Sequence, residues 1–185
     1  MAMSDLFAWA KLVGTPQDGL ALQTRRRSSI ENTVGLPDVV WGQQRWFEDM
    51  ASKYGWSIRS APTGIYNCAG MVWASRRTCI HDPRMYELIL KEDDYRLVRD
   101  DERPRLGDLI VYRQVDNDEI LHVGMISRVT STEGGGWTVL VLSKVGPNTG
   151  EAFHEPRRLP YDEMGLPYRH QFYTDRPVPE TRNAP

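Results

Sequence analysis

Apolar positions recur at helical spacing through the first half of the chain and at strand spacing through the second. Over residues 39–54, Trp41, Arg45, Phe47, Met50, Ala51 and Tyr54 follow helical spacing, with Asp38 placed as the N-cap and Gly55 as the stop. A shorter stripe of Leu6, Phe7, Ala10 and Val13 predicts a helix over 4–13, ended by Gly14-Thr15-Pro16. The polar stretch from there to about Pro37 reads as loop or an adaptable arm. Asn67 is placed to cap a helix starting at Cys68 and running to about 75–78. Asp82-Pro83 opens another, with Met85, Leu88 and Ile89 facing inward.

From Tyr95 onward the period changes to two. Residues 95–98, 108–112, 119–128, 137–144 and 169–173 read as strands, with a turn at Gly134-Gly135-Gly136. The stretch 100–106 reads as a charged connection, and 145–167, dense in Gly and Pro, as a loop with a turn at Pro160-Tyr161-Asp162. Helices first and strands afterwards predict an α+β fold rather than alternating βαβ units. The expected organisation is an N-terminal helix and polar arm (1–37), one main domain (38–176), and a Pro-rich disordered tail (177–185).

Bulk properties narrow the function classes. The chain has 185 residues, 40% hydrophobic and 10% aromatic, which suits one folded domain with a real core. A net charge of −2 gives no electrostatic case for nucleic acid, and the compact cluster Arg25-Arg26-Arg27 reads as a solvated loop. No apolar run approaches the roughly 18–20 residues of a membrane span. The amino terminus lacks the pattern of a secretory signal, so the expected location is cytoplasmic, or exported by a signal-peptide-independent route. Two cysteines are too few for a disulfide framework and read as free thiols.

The chemistry centres on Tyr66-Asn67-Cys68-Ala69-Gly70-Met71-Val72-Trp73. A cysteine in a first helical turn meets unpaired backbone N–H groups and the positive end of the helix dipole, both of which favour a thiolate. A nucleophilic thiol needs a base from a distant segment. His122 offers one within Leu121-His122-Val123-Gly124-Met125-Ile126, where His122, Gly124 and Ile126 share a face opposite Leu121, Val123 and Met125. Read singly, Cys68 is more often a small buried core residue, and His122 more often a strand histidine satisfied by a hydrogen bond. A zinc site built from Cys68, Cys79, His81 and His122 fits no common ligand spacing, so neither metal nor cofactor is expected.

Three motifs in order resemble the NlpC-type and CHAP-type papain-like cysteine peptidases and amidases: Asn67-Cys68-Ala69-Gly70-Met71-Val72, then Arg105-Leu106-Gly107-Asp108-Leu109-Ile110-Val111-Tyr112, then His122-Val123-Gly124-Met125-Ile126. The resemblance covers about residues 60–145, and Asn67 and Ala69 depart from the usual Asp-Cys-Ser-Gly. It implies that Cys68 attacks a carbonyl carbon, that His122 carries the proton, and that backbone N–H groups at the helix start hold the oxyanion. It also implies a polar residue on the strand after the histidine to orient the imidazole. Ser143 is the first choice, with Asn148, Glu151 and His154 as alternatives. Lys144 reads as a surface charge or substrate contact, and Tyr66 and Trp73 as walls of a substrate cleft. The implied activity is cleavage of an amide bond in a peptidoglycan stem peptide or another peptide or protein. The same thioester serves acyl transfer or deamidation, and a papain-like binding module without activity is the non-enzymatic alternative. The loops 14–37 and 145–168 are where a protein partner is expected.

Overall fold

The computed structural model describes residues 19–39 and 41–178. The expected helix over 4–13 and most of the expected tail lie outside them. In chain order the elements are α1 (Trp41–Tyr54), β1 (Ser57–Ile58), α2 (Cys68–Trp73), α3 (Pro83–Glu92), β2 (Arg96–Leu97), β3 (Leu109–Gln114), β4 (Ile120–Ser131), β5 (Trp137–Ser143), β6 (Ala152–His154) and β7 (Tyr168–Thr174). These strands form one antiparallel sheet in the order β1-β6-β5-β4-β3-β7-β2. Helices packed on an antiparallel sheet make this an α+β arrangement, as the change of period predicts.

The central strand β3 explains how the sheet serves two cores. Successive side chains point to opposite faces. Leu109 and Val111 join Val123 of β4 against α2 and α3, whereas Ile110 and Tyr112 join Ile126 and Val141 against α1. Both faces are therefore covered, and β3 reads as a continuous apolar run rather than an alternating one. Between β4 and β5 the register shifts at Ile126/Arg128, which leaves Ser127 as an extra residue. Its hydroxyl donates to the Leu140 carbonyl at 2.9 Å.

Several boundaries differ from expectation, each for a local reason. Helix α1 starts at Trp41 and buries Phe47 and Ala51, while Trp41 is 74% exposed. Six residues separate Trp41 from Phe47, a rotation of roughly 240° at 3.6 residues per turn, so the two rings leave the helix on different sides. Strands β1 and β6 were not expected, because two or three residues are too few to set up a period. The segment 19–39 is irregular, as expected of a loop, yet it is docked. Ile30 is buried, Thr33 bridges to Cys79, and Thr24 Oγ1 donates to Glu92 at 2.6 Å.

Helix α2 ends at Trp73 instead of 75–78. The N–H groups of Ala74 and Arg76 both bond the Gly70 carbonyl, at 3.1 and 3.0 Å, and Ser75 and Arg76 take left-handed φ values of 50° and 66°. The chain thus doubles back, and Thr78 passes beside the helix so closely that a Cβ on Gly70 would lie 1.7 Å from the Thr78 carbonyl oxygen. Only glycine fits there. Gly70→Ala should lower stability by about 3 kcal/mol, the upper end of ordinary overpacking costs, measured as a drop in the urea midpoint with the slope unchanged.

Candidate functional site

Asn67 fixes the start of α2 with three bonds from one side chain. Its Oδ1 accepts from the Gly70 N–H at 2.9 Å and the Ile80 N–H at 3.1 Å, and its Nδ2 donates to the Ile80 carbonyl at 2.6 Å. The first is the expected N-cap. The other two tie the helix start to the returning strip 79–81. Cys68, the first residue of α2, is therefore held in place and is only 8% exposed.

The sheet opens where Cys68 meets it. Strand β5 accompanies β4 as far as the pair Gly124–Ser143 and no further, so the register with β5 does not reach His122 and Val123. The backbone N–H groups of Val123, Ala69 and Cys68 itself lie where they favour a thiolate on Cys68. His122 pairs with Tyr112 across β3–β4, its ring 5.4 Å from Tyr112 and 6.0 Å from Tyr161. Cys68 and His122 line one cavity of about 110 Å³ with Asn67, His81, Tyr86 and Tyr161, and Met164 and Leu166 close part of it. That volume is well below the roughly 300–1,000 Å³ of a typical ligand pocket.

The remaining site expectations fare differently. Ser143 faces Gly124 on β4, but its Oγ lies 2.7 Å from His154 Nε2. His154 Nδ1 is 2.8 Å from the Glu155 carbonyl, which can only accept, so Nδ1 carries the proton and Nε2 receives the Ser143 hydroxyl hydrogen. Ser143 thus orients His154, while His122 Nε2 is buried with no hydrogen-bond partner among the described residues. Neither expected cleft wall lines the cavity. Tyr66 is buried, its hydroxyl donating to Glu151 Oε1 at 2.7 Å, and Trp73 packs on Tyr86 with ring centroids 5.6 Å apart. Lys144, expected at the surface, is fully buried. Its Nζ donates to the carbonyls of Thr63 and Thr149 and sits 4.9 Å from the Tyr66 ring centre. The strip and turn that bring His81 and Tyr161 to the cavity carry no sequence signal beyond Cys79-Ile80-His81 and Pro160-Tyr161-Asp162.

Burial dominates the electrostatics. It pushes the Cys68 thiol above its ordinary range, and the three N–H groups and the Lys144 charge only partly oppose it. The expected lowering by the helix start is therefore overridden by desolvation. Burial, helped by nearby His154, pulls His122 down to about 3, and burial pulls His154 down to about 4 and Lys144 to about 7. These directions leave Cys68 a thiol and His122 a neutral imidazole at neutral pH. Glu151 is the opposite case. Its burial alone would raise it, yet bonds from Arg76, Tyr66 and Arg59 outweigh that and leave it below the ordinary glutamate value. Among the described residues no group of three His, Cys, Asp or Glu side chains is placed to hold a metal ion.

Compared with known protein families, curated proteins and solved structures, the chain matches none.

Two pH-linked outcomes follow from these shifts. Between about 3 and 6.5 the unfolded chain binds the His122 and His154 protons that the folded chain refuses, so stability falls as pH drops through this window. The protein should be less stable at pH 5 than at pH 7.5 by roughly 4 kcal/mol, with both imidazoles still neutral by NMR at pH 5.5. Glu151, being depressed, stabilises above its unfolded value of 4.5 and loses that contribution as pH falls. Glu151→Gln should cost about 2 kcal/mol at pH 7, less than a fully buried pair because Arg59 and Arg76 are partly exposed. That difference should narrow below pH 4 in urea titrations of the two proteins.

Proposed function

We propose that the protein is a papain-like cysteine hydrolase acting on an amide bond, with Cys68 as nucleophile and His122 as general acid and base. The observation that carries this reading is a thiol at a capped helix start sharing one cavity with a strand histidine from a distant segment. In the first step the Cys68 sulfur bonds the carbonyl carbon, its proton passes to the neutral His122 ring, and the carbonyl π electrons become an oxyanion. Backbone N–H groups at the start of α2 stabilise that oxyanion. Its collapse breaks the C–N bond, the amine leaves with the proton from His122, and water then hydrolyses the thioester with His122 again taking and returning a proton. The burial that disfavours an imidazolium at rest is offset once an anionic intermediate forms beside it. Peptides and peptidoglycan stem peptides are the substrate classes the motif order implies. With about 110 Å³ at rest, the segment bearing Tyr161 and Met164 must move for any of them to reach Cys68.

The second reading is a binding module on the same scaffold. The neutral, shielded thiol and the commitment of Ser143 to His154 favour it. An amide-cleavage assay over peptide amides and peptidoglycan fragments separates the two, run alongside iodoacetamide labelling of Cys68 followed by mass spectrometry. For the hydrolase, Cys68→Ala should abolish turnover and His122→Ala should lower kcat by roughly 10²–10⁴. Labelling of Cys68 should be slow without substrate and faster with it. An intact substrate panel, with Cys68 unlabelled in the folded protein, would favour the binding module.

A further inference from the structure

A much larger cleft, of about 820 Å³, lies away from the Cys68 cavity, between the segment 99–106 and the bulged part of β4. Five arginines line it, Arg99, Arg103, Arg105, Arg128 and Arg176, and their charges are not equally spent. Arg176 is paired with Asp108 at 2.6 Å, and Arg99 with Asp101 at 3.0 Å. Arg103 donates to the Ser131 hydroxyl at 3.1 Å, which leaves its charge uncompensated. Arg105 and Arg128 are exposed and have no ion-pair partner among the described residues. The bulge contributes directly. With Ser127 looped out and tied to Leu140, Arg128 shares the strand position opposite Leu140 and lines the cleft. Leu106, 73% exposed, adds an apolar rim between these cations.

We propose that this cleft docks an acidic peptide segment of a protein partner, its carboxylates taken by Arg103, Arg105 and Arg128 and an apolar side chain covering Leu106. The planar guanidinium fork matches a carboxylate with two parallel N–H donors. The cleft already holds an example, since Arg99 takes Asp101 in a two-pronged contact. Its volume lies within the range of ligand-binding clefts. A single-stranded nucleic acid is the poorer occupant: the cleft presents no aromatic side chain for a base to stack on, and the whole chain carries a charge of −2. Cys68 plays no part in this docking, so the proposal stands whether or not the chain is a hydrolase.

Fluorescence anisotropy with a fluorescein-labelled acidic peptide of alternating glutamate and leucine tests it on the whole chain. The comparison probes are a lysine–leucine peptide of the same length and a single-stranded oligonucleotide of equal negative charge. The acidic peptide should bind, the lysine peptide should not, and added salt should weaken binding. Arg105→Ala with Arg128→Ala should weaken it by about tenfold or more, while Arg45→Ala on the exposed side of α1 leaves it unchanged. Both substituted sites are exposed, so unchanged thermal unfolding will confirm that the double variant is folded. No binding of the acidic peptide at about 1 mM, equal binding by the double variant, or tighter binding of the oligonucleotide would each overturn the proposal.

Discussion

One buried carboxylate ties together three irregular segments around the start of α2 that the sheet does not hold. Glu151 is 1% exposed and bonds Arg59 just past β1, Tyr66 two residues before Cys68, and Arg76 in the turn that ends α2. A carboxylate so deeply buried without partners would be driven to neutrality. With three partners it stays ionised and becomes a fixed point for three irregular segments. Lys144 works beside it, lying over the Tyr66 ring and bonding the carbonyls of Thr63 and Thr149. The loop that delivers Cys68 is thus clamped by polar contacts on one side, while α2 packs on apolar β4 on the other. A site needs both: packing sets the depth of the helix, and the polar clamp sets where it begins.

What was legible in the sequence follows from how local each cause is. The alternation that put His122, Gly124 and Ile126 on one face is a property of an extended chain, and the pairs Tyr112–His122 and Ile110–Gly124 respect it. Asn67 as a cap is equally local. Lys144 reads as a surface charge because lysine is almost never fully buried unless paired, and its partners are the carbonyl of Thr149 in the loop that follows and that of distant Thr63. The same holds for Cys68. The helix start that should favour its thiolate is visible in a few residues, whereas the burial that outweighs it comes from Tyr86, Tyr161 and β4, far away in the chain. Ser143 lies on the strand after His122, as expected, and the register that sets it opposite Gly124 is a finding of the structure. What the sequence could not reveal was that His154, brought alongside by the three-residue β6, would claim its hydroxyl.

Strand β4 links the Cys68 cavity and the arginine-lined cleft. His122 stands near its start and Arg128 six residues later, a span of roughly 20 Å at strand rise. The start of β4, paired with β3 but not with β5, makes room for Cys68, and the bulge near the middle turns an arginine into the cleft. One strand thus contributes to two different chemical surfaces, one small and largely apolar, the other open and basic.

The segment over the small cavity carries a thermodynamic consequence. Its fastenings lie outside the cavity: Lys53 on α1 pairs with Glu163, and Trp56 Nε1 donates to the Arg158 carbonyl at 2.6 Å. If a molecule too large for the resting cavity binds only when this segment lifts, its apparent affinity is the intrinsic affinity scaled by the lifted fraction. Contacts at Lys53 and Trp56 that never touch such a molecule then enter its binding constant, and each 1.4 kcal/mol they add to closure weakens binding about tenfold. For such a molecule, selectivity would then depend partly on how firmly this segment is held closed.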